Sequence, residues 1–437
     1  MSLIENADTT VGNYFVSNYP PFSFWKPQFR EGAMEVLARQ AQAGVDLGIY
    51  VHIPFCRKRC HFCYFRVYTD RNSSQIQRYL DAVVREMATL SQQPFVGGRG
   101  LKFIYFGGGT PSYLSAKQLT GLTDGLKGSL SWDEAAEITF ECEPGTLTEN
   151  KLRAIRDFGV TRLSLGIENF DEEILRNNNR AHATKEIYLA YEWARQIGFD
   201  QINIDLIAGM LGETDRNWSG CVEKAIQLVP DCVTIYQMEI PYNTAIYQRM
   251  KEEGRITAPV ADWTTKRRWV EEAFAALEAA GYTVGSAYTA VREPDRTRFV
   301  YRDSLWQGAD MIGLGVSSFG QIGGTHMQNE QDMGPYIERV EAGELPIYRA
   351  LAMNKQEQLV REFVLQMKLG KLHRRYFVDK FGEDVFERFG PILGELAKQG
   401  YLQLEADQLI FSRKGLLRVD QILSLFFLPE HRNARYV

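Results

Sequence analysis

Three of the chain's six cysteines lie within eight residues, and this group of thiols is the feature best suited to chemistry. Cys56, Cys60 and Cys63 follow the spacing C-x3-C-x2-C. Thiolates are the usual ligands of iron–sulfur clusters, and a [4Fe–4S] cluster normally takes four of them. Three local ligands would leave one iron free to bind a substrate or cofactor, as an open metal site does in catalysis.

Zinc and disulfides are the alternative interpretations of these cysteines. Structural zinc usually takes four ligands, often from two C-x2-C pairs, and this sequence has no second pair, although His52 or His61 could supply a fourth ligand. A disulfide framework disagrees with the positions of Cys142, Cys221 and Cys232, which are scattered through a long chain without a secretory signal pattern. We therefore favour an iron–sulfur cluster over zinc.

The cysteines directly follow an apolar run with the pattern of a buried strand, and similar runs alternate with amphipathic stretches up to about residue 290. The predicted strands are 47–54, 101–106, 136–142, 161–167, 201–207, 232–238 and 282–287. The predicted helices between them include 76–91, 115–128, 148–157, 183–197, 215–228 and 262–280. This alternation predicts an α/β protein with a partial or full parallel (β/α) barrel, and a doubly wound open sheet is the alternative.

Two segments of different composition flank the predicted barrel of residues 47–350. Residues 1–46 form an arm rich in aromatic residues and proline, which we expect to pack across the barrel as a structural strap or as a lid. Residues 290–350 of the barrel domain are rich in glycine, so we expect an irregular segment there. Residues 351–437 combine predicted helices with a short hairpin, which is typical of a winged-helix-like module.

Composition limits the partners and the location of the protein. The net charge of the 437-residue chain is −5, and no basic recognition face is evident, so we expect no nucleic-acid partner. No apolar run approaches the roughly 20 residues that cross a bilayer, so we expect no membrane span. These features predict a cytoplasmic protein, and that reducing compartment agrees with free thiols and a cluster.

Carboxylates recur at the carboxyl ends of the predicted strands, which is the end where parallel barrels carry their active sites. Glu141, Glu168 and Asp205 belong to three consecutive strands of this kind. Buried strands are normally apolar at such positions, so these charges need a partner or a role. Residues 107–109 are glycines at the end of another strand, where they would let the backbone approach a ligand closely. We therefore predict one common binding site.

The sequence Tyr-Val-His-Ile-Pro-Phe-Cys at residues 50–56, continued by the spacing of Cys60 and Cys63, resembles the cluster loop of radical S-adenosylmethionine (SAM) enzymes. It is most similar to the family of the oxygen-independent coproporphyrinogen III oxidase, or dehydrogenase, which includes class C radical SAM methyltransferases and haem chaperones. The resemblance implies a [4Fe–4S] cluster on the three cysteines and one or two molecules of SAM. It also implies a small-molecule substrate and an electron donor such as flavodoxin or ferredoxin.

The same resemblance assigns the residues around the cofactor. Positions that match contacts to the cluster-bound SAM are Tyr50, Gly108, Glu141 and Phe319. Positions that match the surroundings of a second SAM are Phe62, Gly109, Thr110, Glu168, Arg180 and Asp205. The residues that we predict to be catalytic are Tyr50, Glu168 and Asp205.

The implied reaction begins with a 5′-deoxyadenosyl radical, formed by one-electron cleavage of SAM, which takes hydrogen from an unactivated carbon. Hydrogen taken from the methyl group of a second SAM would lead to C-methylation or cyclopropanation of an unsaturated small molecule. Hydrogen taken from a propionate would lead to oxidative decarboxylation, as in coproporphyrinogen III oxidation.

Two departures from the coproporphyrinogen enzymes favour methylation or cyclopropanation as the main prediction. Those enzymes carry a further cysteine where this chain has Phe65, and glutamine where it has Glu168. Coproporphyrinogen III oxidation is the alternative reaction. A non-catalytic haem chaperone is the alternative of another class, because histidines such as His52 could serve as an axial ligand.

Overall fold

The apolar runs between residues 47 and 238 form neighbouring parallel strands, because the helix after each run returns the chain to the same edge of the sheet. The computed structural model describes residues 18–254 and 260–432. Its strands are β1 Leu47–Ile53, β2 Leu101–Gly108, β3 Glu137–Cys142, β4 Arg162–Glu168, β5 Gln201–Ala208, β6 Cys232–Gln237, β7 Thr283–Val284, β8 Thr289–Val291, β9 Asp310–Leu314, β10 Phe319–Ile322, β11 Thr325–Asn329, β12 Ile347–Ala352, β13 Lys371–His373, β14 Leu402–Leu404 and β15 Gln408–Phe411.

The α-helices of the described residues alternate with the first strands and dominate the last hundred residues. They are α1 Arg30–Leu37, α2 Ser73–Ser91, α3 Ala116–Lys127, α4 Glu149–Asp157, α5 Glu172–Asn177, α6 Thr184–Ile197, α7 Asp215–Leu228, α8 Ala245–Glu252, α9 Trp263–Ala279, α10 Val300–Trp306, α11 Met333–Glu341, α12 Lys355–Met367, α13 Arg374–Phe381, α14 Val385–Arg388, α15 Gly390–Lys398, α16 Arg413–Leu416 and α17 Val419–Leu423. None of the helices in this described part combines the length and the apolar character needed to cross a membrane.

The larger sheet has twelve strands in the order β12-β11-β10-β9-β1-β2-β3-β4-β5-β6-β8-β7. Strands β1 to β6 are parallel to one another, and β9 is parallel to β1. Antiparallel strands extend both edges. The α/β class with a mostly parallel sheet is therefore confirmed. In the described residues the outer strands β12 and β7 do not pair with each other, so the barrel is partial there.

The predicted strands from 47–54 to 232–238 agree with β1 to β6 within two residues at either end. The strand predicted at 282–287 is wrong, because the chain there contains only the two residues of β7 and then turns. Gly285 donates its N–H to Thr289 O at 2.9 Å, and this hydrogen bond closes the turn into β8. The irregular segment expected at 290–350 is also wrong, since it contains β9 to β12 with α10 and α11.

The arm packs onto the far edge of the sheet through aromatic side chains. Trp25 is buried, and its ring stacks on His326 of β11 with centroids 4.6 Å apart. Phe22 contacts Phe319 of β10 with ring centroids 4.6 Å apart. Residues 1–17, which belong to the predicted arm, lie outside the described residues.

The C-terminal residues contain helices and a three-stranded antiparallel sheet in the order β13-β15-β14. Their hydrophobic core is continuous with Tyr19 of the arm and with Tyr288 and Trp306 of the central part. The division of the chain at residues 46/47 and 350/351 remains a prediction.

Candidate active site

A cavity of about 390 Å³ opens at the carboxyl ends of β1 to β6. Each of these six strands contributes residues to its lining, either from its last positions or from the loop that follows it. A site built in this way can place side chains from six strands around one ligand, as active sites of parallel α/β proteins do.

Most of the residues that the sequence singles out come together in this cavity. The predicted site residues in its lining are Cys56, Cys60, Phe62, Cys63, Gly108, Gly109, Thr110, Glu141, Glu168, Arg180 and Asp205. Two others are not in the lining of this cavity. The ring of Tyr50 lies on Tyr105, a lining residue, at a centroid distance of 5.8 Å. Phe319 instead packs against the aromatic side chains of the arm.

Hydrogen bonds hold the cluster loop, residues 56–63, and the residues just before it against the neighbouring strand ends. Gly109 N–H donates to Ile53 O at 2.8 Å and Thr110 N–H donates to Phe55 O at 2.9 Å. Arg57 Nη1 donates to Gly145 O at 3.0 Å, in the loop after β3. A Cβ on Gly109 would lie 2.8 Å from Ile53 O, so only glycine permits this close approach. The loop is therefore fixed by contacts to two neighbouring strands.

Each of the three thiols in the loop has a hydrogen-bond donor beside it. Thr110 Oγ1 donates to Cys56 Sγ at 3.3 Å, and Arg180 Nη1 donates to Cys60 Sγ at 3.3 Å. A backbone N–H contributes at Cys63. Donors of this kind favour the charged thiolate and orient it for a metal.

The donor set fits an iron–sulfur cluster. Burial raises the pKa of the Cys56 thiol to about 12 and that of Cys63 to about 11, so free thiolates would be disfavoured there and metal binding would compensate the charge. Among the described residues, no group of three or more His, Cys, Asp or Glu side chains is placed to hold a single metal ion. A cluster spreads its ligands over several irons, so each thiolate needs to reach only one of them.

Glu141 is held in the cavity by two donors. Tyr105 OH donates to Glu141 Oε1 at 2.6 Å, and Gly108 N–H donates to Glu141 Oε2 at 3.2 Å. Burial raises the pKa of the Glu141 carboxyl to about 7 despite these hydrogen bonds. This carboxylate is thus available to pair with a cationic ligand near neutral pH.

Glu168 lines the cavity and has a backbone conformation that is unusual for a residue other than glycine. It has a φ of 66°, which is the left-handed region, and a bulge between β4 and β5 accompanies it. Its Oε1 lies 3.6 Å from Arg180 Nη2, and burial raises the pKa of this carboxyl to about 7. A non-glycine residue in this strained conformation beside a cavity is a candidate for a functional role.

Asp205 belongs to a buried polar network between β4, β5 and β6. Ser164 Oγ donates to Asp205 Oδ2 at 2.8 Å and Asn203 Nδ2 donates to Oδ1 at 3.0 Å. Burial raises the pKa of Asp205, and these hydrogen bonds act in the opposite direction. The network fixes the position of the carboxylate in the cavity wall.

Sequence reasoning did not predict the aromatic part of the cavity, and it named Phe65 only as a departure from the coproporphyrinogen enzymes. Tyr64, Phe65 and Tyr236 line it, although each exposes 40% or more of its surface, and Tyr105 supports Glu141 from the neighbouring strand. Burial nevertheless raises the pKa of Tyr64 and Tyr236, so their accessible faces look into a recess. The position of these aromatic residues at strand ends and beside the cysteines is the signal that could have found them.

Residues 50–225 match the Radical SAM superfamily. The chain is 27% identical over 455 aligned residues to the oxygen-independent coproporphyrinogen III oxidase of Escherichia coli (strain K12), covering 100% of this chain and 96% of that protein. It is 28% identical to the heme chaperone HemW of Bacillus subtilis (strain 168), covering 86% of this chain and 98% of that protein. The solved structure of coproporphyrinogen III oxidase (HemN) from Escherichia coli, described as a radical SAM enzyme, matches with a TM-score of 0.82 at 25% identity, covering 94% of this chain and 96% of that one.

Residues 50–225 therefore form a Radical SAM domain, and the protein is a radical SAM enzyme. Within that class it is similar over its whole length to the oxygen-independent coproporphyrinogen III oxidases. The family implies a [4Fe–4S] cluster and SAM, which is the cofactor pair predicted from the cysteine motif. The number of SAM molecules and the roles of the individual site residues remain predictions.

Proposed function

We propose that the protein is a radical SAM oxidoreductase acting on a tetrapyrrole, with oxidative decarboxylation of coproporphyrinogen III as the first candidate reaction. The observation that carries this proposal is the similarity to coproporphyrinogen III oxidase in sequence and in fold along nearly the entire chain. Neither of the two curated relatives described above is a methyltransferase. Methylation, favoured from the sequence, therefore becomes the second candidate.

The residues of the cavity have distinct roles in this proposal. A cluster on Cys56, Cys60 and Cys63, together with SAM, would supply the 5′-deoxyadenosyl radical. Glu141 and Asp205 would accept hydrogen bonds from the ammonium group and hydroxyls of SAM, and the hydrogen bonds from Tyr105 and Ser164 keep the two carboxylates oriented. The recessed position of the cavity between six strand ends helps to exclude water from the reacting atoms.

The exposed end of the cavity suits a ring compound with carboxylate groups. Arg57, Lys58 and Arg59 line it and can attract propionates, and Tyr64 and Phe65 offer apolar ring faces. A propionate that loses a hydrogen atom, CO₂ and one electron becomes a vinyl group. The hydrogen atom leaves with the 5′-deoxyadenosyl group, and a one-electron acceptor takes the electron.

We propose a flavodoxin or ferredoxin as the electron donor and the cytoplasm as the location. Residues 57–59 place three exposed cations on the loop that carries the cluster cysteines, whereas the whole chain has a net charge of −5. Acidic redox proteins would be attracted to such a local positive surface. A reducing compartment keeps the thiols and the cluster intact.

The test is an anaerobic assay of reconstituted protein with SAM, a reductant and coproporphyrinogen III. We expect release of 5′-deoxyadenosine together with a product lighter by one CO₂ and two hydrogens for each side chain that reacts. The Cys60→Ser variant, prepared in the same way, is the control and should release neither compound. Release of 5′-deoxyadenosine with coproporphyrinogen III left unchanged would exclude this substrate.

The second candidate is methyl transfer from a second SAM to an unsaturated acceptor, with cyclopropanation as its variant. The specific observation in its favour is Glu168, which adds a third carboxylate to a cavity that already holds Glu141 and Asp205. Three carboxylates suit two sulfonium cations better than they suit propionates. In the assay described above, this reaction would appear as a product heavier by one CH₂ group.

SAM cleavage distinguishes a haem chaperone, such as the relative from Bacillus subtilis, from both of these reactions. A chaperone would bind haem in a stoichiometric complex and release no 5′-deoxyadenosine. Haem binding alongside substrate-dependent release of 5′-deoxyadenosine would leave the enzyme assignment intact.

A further inference from the structure

The guanidinium of Arg180 joins the cluster loop to the opposite wall of the cavity. Its Nη1 donates to Cys60 Sγ at 3.3 Å, and its Nη2 donates to Gly166 O at 2.5 Å. The side chain of Arg180 is only 10% exposed, so this cation is screened little by solvent. Cys60 is thus the one cluster thiol in hydrogen-bond contact with an arginine among the described residues.

The segment that carries Arg180 is braced against the cluster loop. Asn179 Nδ2 donates to Arg59 O at 2.8 Å, and His61 N–H donates to Asn178 O at 3.1 Å. These bonds tie residues on both sides of Cys60 to the residues just before Arg180. The contact between guanidinium and sulfur is therefore a fixed part of the site.

Reduction adds one negative charge to a cluster and increases the charge on its sulfur ligands. A fixed cation with an N–H donor on the thiolate stabilises the reduced state more than the oxidised state. Hydrogen bonds to the sulfurs and nearby charge are known determinants of the potential of iron–sulfur clusters.

We propose that Arg180 raises the reduction potential of the cluster through its charged hydrogen bond to Cys60 Sγ, and that Glu168 moderates this effect. The carboxylate of Glu168 lies 3.6 Å from Arg180 Nη2, so it partly cancels the positive charge near the sulfur. Arg180 acts through Cys60 and is a positioning residue. The inference rests on the cluster of the proposed function.

Substitutions of Arg180 and Glu168 should shift the reduction potential of the cluster in opposite directions. Arg180→Gln removes the cation and should lower the equilibrium constant for cluster reduction about tenfold, which is about 59 mV for a one-electron couple. Glu168→Gln removes the opposing charge and should raise that constant several-fold. Thr110→Val removes a neutral donor from Cys56 Sγ, so we expect a smaller decrease than for Arg180→Gln.

The experiment is a redox titration of the reconstituted protein without SAM, followed by electron paramagnetic resonance at pH 8. At that pH Glu168, whose pKa burial raises to about 7, is mostly ionised. Arg57→Gln is the matched control, because Arg57 also lines the cavity but donates to carbonyl oxygens such as Gly145 O instead of to a cluster thiol. Its effect should be less than half that of Arg180→Gln.

The iron and sulfide content, measured first, distinguishes a failure of the proposed function from a failure of the inference about Arg180. Absence of a cluster in the unmodified protein contradicts the proposed function. A cluster whose potential is the same in the unmodified protein and in Arg180→Gln overturns the inference, as does a shift of equal size in Arg57→Gln. Shifts of the same sign in Arg180→Gln and Glu168→Gln would also overturn it, since they would indicate a general disturbance of the loop.

Discussion

At the scale of single residues, Glu168 has a backbone conformation and a buried charge that both lower the stability of the folded protein. A left-handed backbone costs an L-residue about 1–2 kcal/mol, and a buried carboxylate beside Asp205 adds an electrostatic cost. Neither cost serves the packing of the sheet. Both are consistent with a side chain that is required where the ligand binds.

Replacing Glu168 by glycine should separate stability from function. We expect the free energy of unfolding of Glu168→Gly to be unchanged or up to about 1 kcal/mol higher, because glycine accepts the positive φ. The rate of 5′-deoxyadenosine release should fall at least about tenfold, since one carboxylate–ligand interaction is lost. Urea unfolding and the SAM-cleavage assay measure the two effects.

Val229 provides the control, because it has a φ of 54° at the end of α7 and lies outside the cavity. Val229→Gly should raise the free energy of unfolding by about 1 kcal/mol without any change in SAM cleavage. A Glu168→Gly protein with full activity would show that the carboxylate has no role in the reaction.

The carboxylates of the cavity also predict how SAM binding depends on pH. Burial raises the pKa of Glu141 and of Glu168 to about 7 each, and the cationic groups of SAM pair only with the ionised carboxylates. The affinity for SAM should therefore increase as the pH rises from 6 to 8, by about three- to tenfold. Anaerobic calorimetry of the oxidised protein measures this dependence, and Glu141→Gln should flatten it. A pH-independent affinity would contradict the assignment.

At the scale of elements, the sequence was informative wherever an apolar run was followed by an amphipathic helix. The six runs ending at residue 238 were predicted closely for this reason. Their order also predicted that Glu141, Glu168 and Asp205 would share one edge of the sheet. The pattern failed at β7 and β8, because strands of two and three residues are too short to show an alternation. It also failed at β9 to β11, where glycines interrupt the apolar runs and neighbouring strands pair antiparallel.

Contacts between distant elements could not be predicted at all. Nothing in the local sequence indicates that Arg180 reaches Cys60, or that Tyr105 supports Glu141, because these contacts depend on how neighbouring βα units are aligned. The same holds for Phe319, whose ring meets the arm in this structure.

The arm contributes to the stability of the fold through a few aromatic rings. Trp25 is 1% exposed, stacks on His326 and contacts Phe319, so Trp25→Ala should lower the free energy of unfolding by about 3–5 kcal/mol. Phe29 belongs to the same segment but is 43% exposed, and Phe29→Ala should change that free energy by less than about 0.5 kcal/mol. Equal effects of the two substitutions in urea unfolding would show that the arm does not act as a strap.

At the scale of the whole molecule, the C-terminal residues pack closely on the central part of the chain, because their hydrophobic core includes Tyr288 and Trp306. Nine of the thirteen residues of α12 are buried, including charged residues such as Arg361 and Glu362. Tyr288, which lies just before β8, donates its OH to Asp420 Oδ2 of α17 at 2.7 Å. A helix that is buried on most of its faces needs packing partners on more than one side.

A chain that ends at residue 350 should therefore lose cooperative folding. It would expose the surfaces of Tyr288 and Trp306 that the C-terminal helices cover, and we expect aggregation or the absence of a sharp thermal transition. Calorimetry and light scattering of the truncated and full-length proteins measure this. A soluble truncated protein with a cooperative transition would show that residues 351–437 form a separable domain.

The most direct test of the account is the electron paramagnetic resonance spectrum of the anaerobically reconstituted, reduced protein before and after addition of SAM. The three thiols are expected to hold a [4Fe–4S] cluster whose fourth iron has no protein ligand. We predict the signal of a reduced [4Fe–4S] cluster that changes when SAM binds, and its loss in the Cys60→Ser variant. A protein that contains zinc or no iron at these cysteines, or a cluster signal that SAM leaves unchanged, would contradict the account.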